Sequence, residues 1–268
     1  MSALRGFVFD IDGCLMKGAR PLSGAPEAVT TLKSRSMAVR YFTNDSSKTP
    51  EDIATRLERA GIPATAEEVL TSGLVAAEYA ARRFPGGRLL PIGGAALREA
   101  LERRGLRVVE EWPADAVLVG RDLDLSYRKL EAACKAIWKG AAFLATNMDR
   151  RMPVEDGYVP GTGSVAKAVA WATDRSPTVM GKPSAHAGRA ALRSLGLPPR
   201  DVAIVGDQLE QDIRMGRLSG TTTVLVLTGS STRADVERMP PRFRPDAVLM
   251  DAGQLIAWLD RVAAEQGG

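Results

Sequence analysis

Apolar segments and segments with helical spacing alternate along this chain. Two of the apolar segments, AIVG at 203–206 and TVLVL at 223–227, are continuous rather than alternating, which is typical of strands covered on both faces. Helical spacing follows such runs, for example at 50–60, where Gly61 provides the usual stop signal just past a helix. The alternation predicts βαβ units around a mostly parallel sheet, an α/β fold.

The order of these segments predicts two domains. A chain of 268 residues is long for one sheet, and 71–73 and 180–183 offer crossing points between two domains. We expect a Rossmann-like, doubly wound parallel sheet core formed by residues 1–72 and 181–268, with an α/β domain inserted at 73–180. The predicted core strands are GFVFDI, MAVRYFTN, DVAIVGD, TTTVLVLTG and DAVLM, and the predicted inserted strands are RLLPIGG, AVLVGRD and AAFLATN.

Composition narrows the class of partner. Apolar residues make up 45% of the chain and the mean hydropathy is −0.10, which suits a folded protein with a large core. The 36 basic and 32 acidic residues leave a net charge of +4, and the basic residues are scattered, so we expect no nucleic-acid partner. Neither a signal-peptide pattern nor an apolar run of membrane length occurs, and Cys14 and Cys134 are the only cysteines. These features predict a cytoplasmic protein with no membrane partner.

Polar and charged residues follow the predicted strands of the core. Ligands of an open parallel sheet bind outside the carboxyl ends of its strands, so these residues are the informative ones. In chain order they are Asp10 and Asp12, then Thr43, Asn44 and Asp45, then Lys182, and finally Asp207 and Asp212. Such a set of carboxylates is costly to hold together without a cation, and oxygen ligands without histidine or cysteine suit Mg²⁺. A lysine beside them offers a positive charge for phosphate, so the set predicts phosphate chemistry.

Seven short motifs in a fixed order carry a family resemblance. They are DIDGCL, TNDSSKTP, VGRD, ATNMD, GTGS, GKPSAH and VGDQLEQDI, and the region they define extends from residue 7 to about residue 251. This arrangement closely resembles the haloacid dehalogenase-like phosphatases, in particular the NagD-type (class IIA) subfamily, which includes p-nitrophenyl phosphatases. The resemblance implies a Mg²⁺-dependent phosphoric monoester hydrolase that acts on a small phosphorylated metabolite. It implies that the inserted domain is a cap over the site. A homodimer formed through the cap is possible by the same resemblance.

The resemblance also implies roles for the catalytic residues. By motif match, Asp10 is the nucleophile that forms an aspartyl-phosphate, and Asp12 is the general acid and base, with its main-chain carbonyl as a metal ligand. Lys182 neutralises and orients Asp10. Gly13 lets the chain turn sharply, so that both aspartate side chains reach one phosphoryl group.

The remaining candidates bind substrate or metal. The resemblance implies that Thr43 and the main-chain amide of Asn44 hold phosphate oxygens, and that Asp207 ligates Mg²⁺. Asp212 is a further metal candidate, expected to act through water or through Lys182. Asp45 stands where the subfamily commonly has a second asparagine, so its carboxylate could reshape the phosphate loop. The cap candidates for substrate specificity are Asn147 and Asp149, with the region near Arg121.

Several alternatives compete with this interpretation. A receiver-like regulatory module also places Asp and Lys at strand ends, and a dehalogenase of the same superfamily would lack the metal-site acids. GTGSVA at 161–166 fits a dinucleotide fingerprint, but the preceding EDGYVP is predicted to be a loop where a strand is required. We expect Cys14 to be a small buried residue and His186, the only histidine, to have a packing or surface role.

Overall fold

The apolar segments form strands and the segments between them form helices, so the predicted α/β fold is confirmed. The structure is a computed structural model and describes residues 4–154 and 157–267. The strands in chain order are β1 Gly6–Phe9, β2 Met16–Lys17, β3 Arg20–Pro21, β4 Ala38–Thr43, β5 Val69–Thr71, β6 Arg88–Ile92, β7 Arg107–Val108, β8 Ala116–Val119, β9 Ala142–Ala145, β10 Arg151–Val154, β11 Gly157–Pro160, β12 Thr178–Val179, β13 Val202–Gly206, β14 Thr222–Val226 and β15 Ala247–Leu249. The α-helices are α1 Ala25–Ser34, α2 Pro50–Arg59, α3 Ser72–Arg83, α4 Ala95–Glu102, α5 Tyr127–Trp138, α6 Thr162–Thr173, α7 Ala185–Leu195, α8 Arg214–Ser219, α9 Arg233–Arg238 and α10 Leu255–Gly267.

The chain divides into two compact units. The first contains the residues up to Thr43, the segment Pro50–Leu70 and the residues from Ala187 onward, and the second contains Asn44–Thr49 and Thr71–His186. The sequence-based division at 73–180 differs from this one at residues 44–49, 71–72 and 181–186, all of which belong to the second unit. The predicted domain bounds stay a prediction.

The first unit is built on a six-stranded sheet in the order β15-β14-β13-β1-β4-β5. Strand β1 lies inside this sheet and pairs in parallel with β13 and β4, with Phe9 opposite Val205 on one side and Tyr41 on the other. Parallel neighbours end at the same edge, so the residues that follow β1, β4 and β13 emerge together. This register is what positions the candidate site.

Both faces of the sheet are covered, which explains the continuous apolar runs. In β14, Val224 and Val226 join a cluster with α1, α2 and α10, whereas Leu225 between them joins Leu209 and Ile213 on the opposite face. Successive side chains of a strand point to opposite faces. Val224, Leu225 and Val226 are therefore all apolar, because each of them faces a packed layer.

The second unit has its own parallel sheet, in the order β12-β9-β8-β6-β7. Its core combines β6, β8 and β9 with α5 and α6, for example through Ile92, Val117, Ile137 and Val169, which are all buried. The strands predicted from RLLPIGG, AVLVGRD and AAFLATN are β6, β8 and β9, so this region is an α/β unit of the same class as the first.

One loop prediction is wrong. Gly157–Pro160, within the segment predicted as a loop, forms strand β11 and pairs antiparallel with β10, while residues 155 and 156 lie outside the described residues. Pro160 favoured the loop interpretation, but a two-stranded hairpin tolerates a proline because each strand is an edge. The strand belongs to an antiparallel hairpin and not to a parallel βαβ unit, so the dinucleotide fingerprint still lacks its context. Gly161 instead allows a close approach of two main-chain segments, since a Cβ on it would lie 2.9 Å from the main-chain carbon of Asp149.

The helix predicted at 50–60 is α2, Pro50–Arg59. After β13 a wide π-type turn, Leu209–Ile213, leads directly into α8. Within residues 4–154 and 157–267, none of the helices combines the length and apolarity that a membrane span requires.

Candidate active site

Strand β1 is followed by two aspartates that differ in exposure. The amide of Asp10 donates to the carbonyl of Val205 at 2.8 Å, which continues the β1–β13 ladder past the end of the strand and fixes the main chain of this residue. Asp10 is 7% exposed, whereas the side chain of Asp12 is 47% exposed. Gly13 then adopts a positive φ of 97°, a conformation that favours glycine, and its amide donates to the carbonyl of Met16. The sharp turn predicted at Gly13 is present.

Asp207 follows the neighbouring strand β13 and is 1% exposed. The main-chain amide of Ser230 donates to its Oδ2 at 2.7 Å. A Cβ on Gly13 would lie 2.6 Å from the same oxygen, so the turn after β1 packs directly against this carboxylate. Only a glycine leaves room for that approach.

Asp212 lies in the wide turn at Leu209–Ile213, where its carboxylate accepts a hydrogen bond from the amide of Gln208 at 3.2 Å. One carboxylate oxygen each from Asp10, Asp207 and Asp212 lie within 4.8 Å of one another, and all three residues are buried. The structure therefore brings together three of the four predicted metal residues by their side chains. Asp12 is outside this group, which is consistent with the expectation that it offers a main-chain carbonyl.

The chemistry of this group fits a divalent cation. Carboxylates held this close repel one another, and burial removes the water that would screen them, so a cation is the natural counter-charge. All the donors are oxygens, without a histidine or cysteine in the group, which suits a hard ion such as Mg²⁺ or Ca²⁺. The buried acids are therefore the candidate metal centre of the first unit.

Arg56 contacts the carboxylate of Asp12 and was missed by the sequence analysis. Its Nη2 lies 2.5 Å from Asp12 Oδ1 and donates to the carbonyl of Gly18 at 2.6 Å. Arg56 lies on α2, whereas both partners precede that helix along the chain. Motif and helix-spacing rules compare nearby positions, so neither signalled this contact.

Thr43 is the last residue of β4 and is 6% exposed. Because β4 pairs in parallel with β1, Thr43 lies at the same edge of the sheet as Asp10. The structure thus places a hydroxyl-bearing residue where the sequence predicted one.

Asn44 and Lys182 lie in the second unit, where the asparagine side chain holds the main chain of the lysine. Asn44 Oδ1 accepts from the Lys182 amide at 2.9 Å, and Asn44 Nδ2 donates to the Lys182 carbonyl at 3.2 Å. A Cβ on Gly181 would lie 2.5 Å from Asn44 Oδ1, which accounts for the glycine before the lysine. Lys182 itself is 3% exposed.

Asn147 and Asp149 contact the same asparagine. Asn147 Nδ2 donates to the carbonyl of Asn44 at 2.7 Å, and Asn44 Nδ2 donates to Asp149 Oδ2 at 3.2 Å. The Asp149 amide also donates to Asn147 Oδ1 at 3.0 Å. The contacts found for these two residues hold the loop after β4, and their predicted role in substrate specificity stays a prediction.

Asp45 uses its carboxylate locally. Its Oδ1 accepts from the amide of Ser47 at 2.9 Å and from the Ser47 hydroxyl at 2.7 Å, which is a typical aspartate turn. Arg121 Nη1 lies 4.0 Å from the other oxygen. The carboxylate that departs from the usual family motif therefore has a neighbouring positive charge within the same unit.

Cys14 and His186 have packing roles, as predicted. Cys14 is fully buried, with its Sγ 3.7 Å from the carbonyl of Val205. The ring of His186 meets the ring of Tyr79 edge-on at a centroid distance of 4.9 Å.

Comparisons with known proteins identify the family of this chain. A family model described as haloacid dehalogenase-like hydrolase matches residues 7–107, and a second, HAD-hydrolase-like model matches residues 179–255. An acid sugar phosphatase of Staphylococcus saprophyticus is 36% identical over 263 residues, which cover 97% of this chain and 100% of the relative.

Solved structures show the same fold over almost the whole chain. The p-nitrophenyl phosphatase of Archaeoglobus fulgidus superimposes with a TM-score of 0.90 at 34% identity, covering 96% of this chain and 99% of that one. NagD of Escherichia coli K-12 gives a TM-score of 0.88 at 30% identity, covering 94% and 98%. The resemblance stated from the motifs is confirmed: this chain belongs to the haloacid dehalogenase-like hydrolases, in the group that contains NagD and the p-nitrophenyl phosphatases.

Proposed function

We propose that this protein is a Mg²⁺-dependent phosphatase that hydrolyses phosphate monoesters of small metabolites through an aspartyl-phosphate at Asp10. The observation that carries the proposal is the difference between two nearby carboxylates. Asp10 is buried with Asp207 and Asp212, whereas Asp12, two positions later, is exposed and paired with an arginine. Asp10 thus lies beside the candidate metal ligands, as a nucleophile requires, whereas Asp12 lies where a leaving group and water can reach its carboxylate.

The proposed reaction has two halves. In the first, a carboxylate oxygen of Asp10 bonds to phosphorus, the bond from phosphorus to the leaving oxygen breaks, and Asp12 gives that oxygen a proton. In the second, water bonds to phosphorus while Asp12 accepts its proton, and the bond to Asp10 breaks. The products are inorganic phosphate and the free carboxylate of Asp10.

Asp10, Asp207 and the main-chain carbonyl of Asp12 would hold the ion, with Asp212 supporting them through water. When bound, Mg²⁺ would neutralise negative charge on the phosphoryl group. Support for this assignment comes from the close approach of the three buried carboxylates. Asp12 would carry out both proton transfers.

We also propose that Thr43 and the amide of Asn44 hold phosphate oxygens, and that Lys182 neutralises and orients Asp10. The burial of Lys182 supports this role, because a buried ammonium requires anionic or strongly polar partners. The hydrogen bonds from Asn44 to the main chain of Lys182 would fix the position of the ammonium stem.

The substrate is proposed to be a small phosphorylated metabolite, with the inserted domain at 73–180 as its cap and with Asn147 and Asp149 among the cap residues that shape specificity. The names of two relatives, an acid sugar phosphatase and a p-nitrophenyl phosphatase, support a substrate of this size. A cap that excludes bulk water would protect the phospho-enzyme from side reactions.

Phosphate release from p-nitrophenyl phosphate, measured with Mg²⁺ and then with EDTA, tests the proposal. We expect turnover with Mg²⁺, loss of turnover in EDTA and inhibition by Ca²⁺, which has the same ligand preference but a looser geometry. Turnover that persists in EDTA would remove the metal from the mechanism. Mg²⁺ binding without any phosphate release would favour a regulatory module instead.

A cytoplasmic location and a homodimer through the second unit complete the proposal. Cys14 and Cys134 are both buried thiols, which supports a reducing compartment. Tyr127, Trp138 and Trp171 are exposed on helices of the second unit, and aromatic side chains are enriched at protein interfaces. Sedimentation equilibrium should give twice the chain mass of 28.6 kDa, and the monomer mass at micromolar concentration would reject the dimer.

A further inference from the structure

We infer that Arg56 is a positioning residue that holds the carboxylate of Asp12 in the orientation needed for proton transfer. The inference deepens the proposed function and rests on it. Arg56 contacts both carboxylate oxygens of Asp12, with Nη2 2.5 Å from Oδ1 and Nη1 3.4 Å from Oδ2. A guanidinium that meets both oxygens of a carboxylate fixes its plane as well as its position.

The same side chain also holds the hairpin that follows Asp12. Arg56 Nε and Nη2 donate to the carbonyl of Gly18 at 3.2 and 2.6 Å. Gly18 has a positive φ of 61° and lies between β2 and β3, which pair antiparallel. One guanidinium therefore links the carboxylate of Asp12 to the tip of the next hairpin, and both become fixed relative to α2.

Helix α2 is a firm base for this side chain. Ile53, Ala54 and Leu57 face the core and are 4%, 6% and 0% exposed. Arg56 precedes Leu57 directly, so the packing of the helix fixes the Arg56 main chain and limits where its side chain can reach. Asp12 has no comparable support from burial, because its own side chain is 47% exposed.

The two contacts differ in length, with the shorter one to Oδ1 and a longer one, 3.4 Å, to Oδ2. In the proposed reaction a proton passes from the Asp12 carboxyl to the leaving alkoxide as the phosphorus–oxygen bond breaks. A proton from water returns to the same carboxylate as the phospho-enzyme is hydrolysed.

Substrates with different leaving groups distinguish a role of Arg56 in proton transfer from a purely structural role. Nitrophenolate leaves with little need of a proton, whereas an alkoxide needs one. In Arg56→Gln, phospho-enzyme formation from glycerol phosphate should therefore slow about tenfold or more, because a misplaced proton donor costs at least that much. The nitrophenol burst from p-nitrophenyl phosphate should change by no more than about twofold. Arg56→Lys, which keeps the charge but not the fork, should fall between Arg56→Gln and the wild type.

Arg59→Gln is the matched control, since Arg59 is exposed on the same helix and the substitution removes the same charge. It should leave both rates near those of the wild type. Equal slowing with both substrates in Arg56→Gln, or no slowing relative to Arg59→Gln, would overturn the inference while leaving the phosphatase intact. A wild-type protein that hydrolyses neither substrate would overturn the proposed function and this inference with it. If Arg56→Gln does not fold, the ratio of the two rates in Arg56→Lys decides.

Discussion

At the scale of single residues, Asp10 and Asp12 show how position separates two identical side chains. The ladder hydrogen bond from the Asp10 amide keeps that residue within the sheet edge, beside Asp207. The turn at Gly13 begins two positions later, where the carboxylate of Asp12 meets solvent and Arg56. Substitutions of the two aspartates should therefore have different effects, although both remove one carboxylate.

Asp10→Asn should abolish formation of the phospho-enzyme with every leaving group, because the nucleophilic oxygen is lost. Rapid-quench experiments with labelled substrate and acid precipitation would detect any acyl-phosphate that still forms. Label that stays on the protein in Asp10→Asn at the wild-type level would move the nucleophile to another residue.

Asp12→Asn should keep the nucleophile and lose proton transfer. With p-nitrophenyl phosphate we expect a burst of nitrophenol followed by turnover about a hundredfold slower or more, because breakdown of the intermediate still needs a base. An alkyl phosphate should show no burst, since its first step also needs the proton. Wild-type steady-state turnover in this variant would exclude Asp12 as the proton shuttle.

At the scale of elements, Tyr41 connects β4 to the loop before β5. The Tyr41 hydroxyl donates to the carbonyl of Pro63 at 2.6 Å, and its ring is fully buried. Burial, with a smaller contribution from the charge of Glu68, raises the pKa of Tyr41 well above its ordinary value. The folded protein therefore keeps this proton at a pH where the unfolded chain releases it.

A raised pKa in the folded state predicts a loss of stability at alkaline pH. The contribution of Tyr41 is fully present below about pH 10, the ordinary tyrosine pKa, and decreases as the pH rises above it. Tyr41→Phe removes the hydrogen bond, so its free energy of unfolding at pH 8 should be about 1 kcal/mol lower than that of the wild type. Above pH 10 the stability of the variant should fall less steeply than that of the wild type.

Urea unfolding between pH 8 and 11 measures both effects. Tyr158→Phe serves as the control, because Tyr158 is 63% exposed and does not share the buried environment of Tyr41. Parallel stability curves for Tyr41→Phe and the wild type would show that the buried hydroxyl ionises as freely in the folded protein as in the unfolded chain.

The elements also show why the sequence predicted some features and not others. Continuous runs such as TVLVL carry the signal of a strand covered on both faces, and the acids after β1 and β13 follow directly from knowing where strands end. Strand β11 was missed because Pro160 is a strong local signal for a loop. A strand can contain a proline when it lies at the edge of a sheet, and β11 is an edge strand of its hairpin. Arg56 was missed because its partners belong to another element, so only the folded structure reveals the contact.

At the scale of the whole molecule, the acidic cluster should make folding stability depend on metal. An ion that binds only the folded state stabilises it by about 2.7 kcal/mol at a concentration one hundred times its dissociation constant. Asp207→Asn should reduce this gain, because one negative ligand is lost with almost no change in volume. Without metal the variant should be at least as stable as the wild type, since one of three mutually repelling charges has been removed.

Thermal unfolding with increasing Mg²⁺, and again in EDTA, measures these shifts. Asp201→Asn is the matched control, because Asp201 is also buried but is paired with Arg5 and Arg200, away from the metal group. That variant should keep the full increase in Tm with Mg²⁺. An equal increase in Asp207→Asn would place the ion at other ligands.

The pairing of β1 with β13 has a consequence for the synthesis of the protein. Phe9 and its partner Val205 lie far apart in the sequence, so β1 leaves the ribosome long before β13 has been translated. During that interval β1 can pair with β4 on one side only, and its other edge is open to strands of neighbouring nascent chains. Asp10 and Asp207 first meet only after the residues up to Asp207 have been translated, so until then the growing chain has no assembled metal group with which to capture ions or phosphate esters.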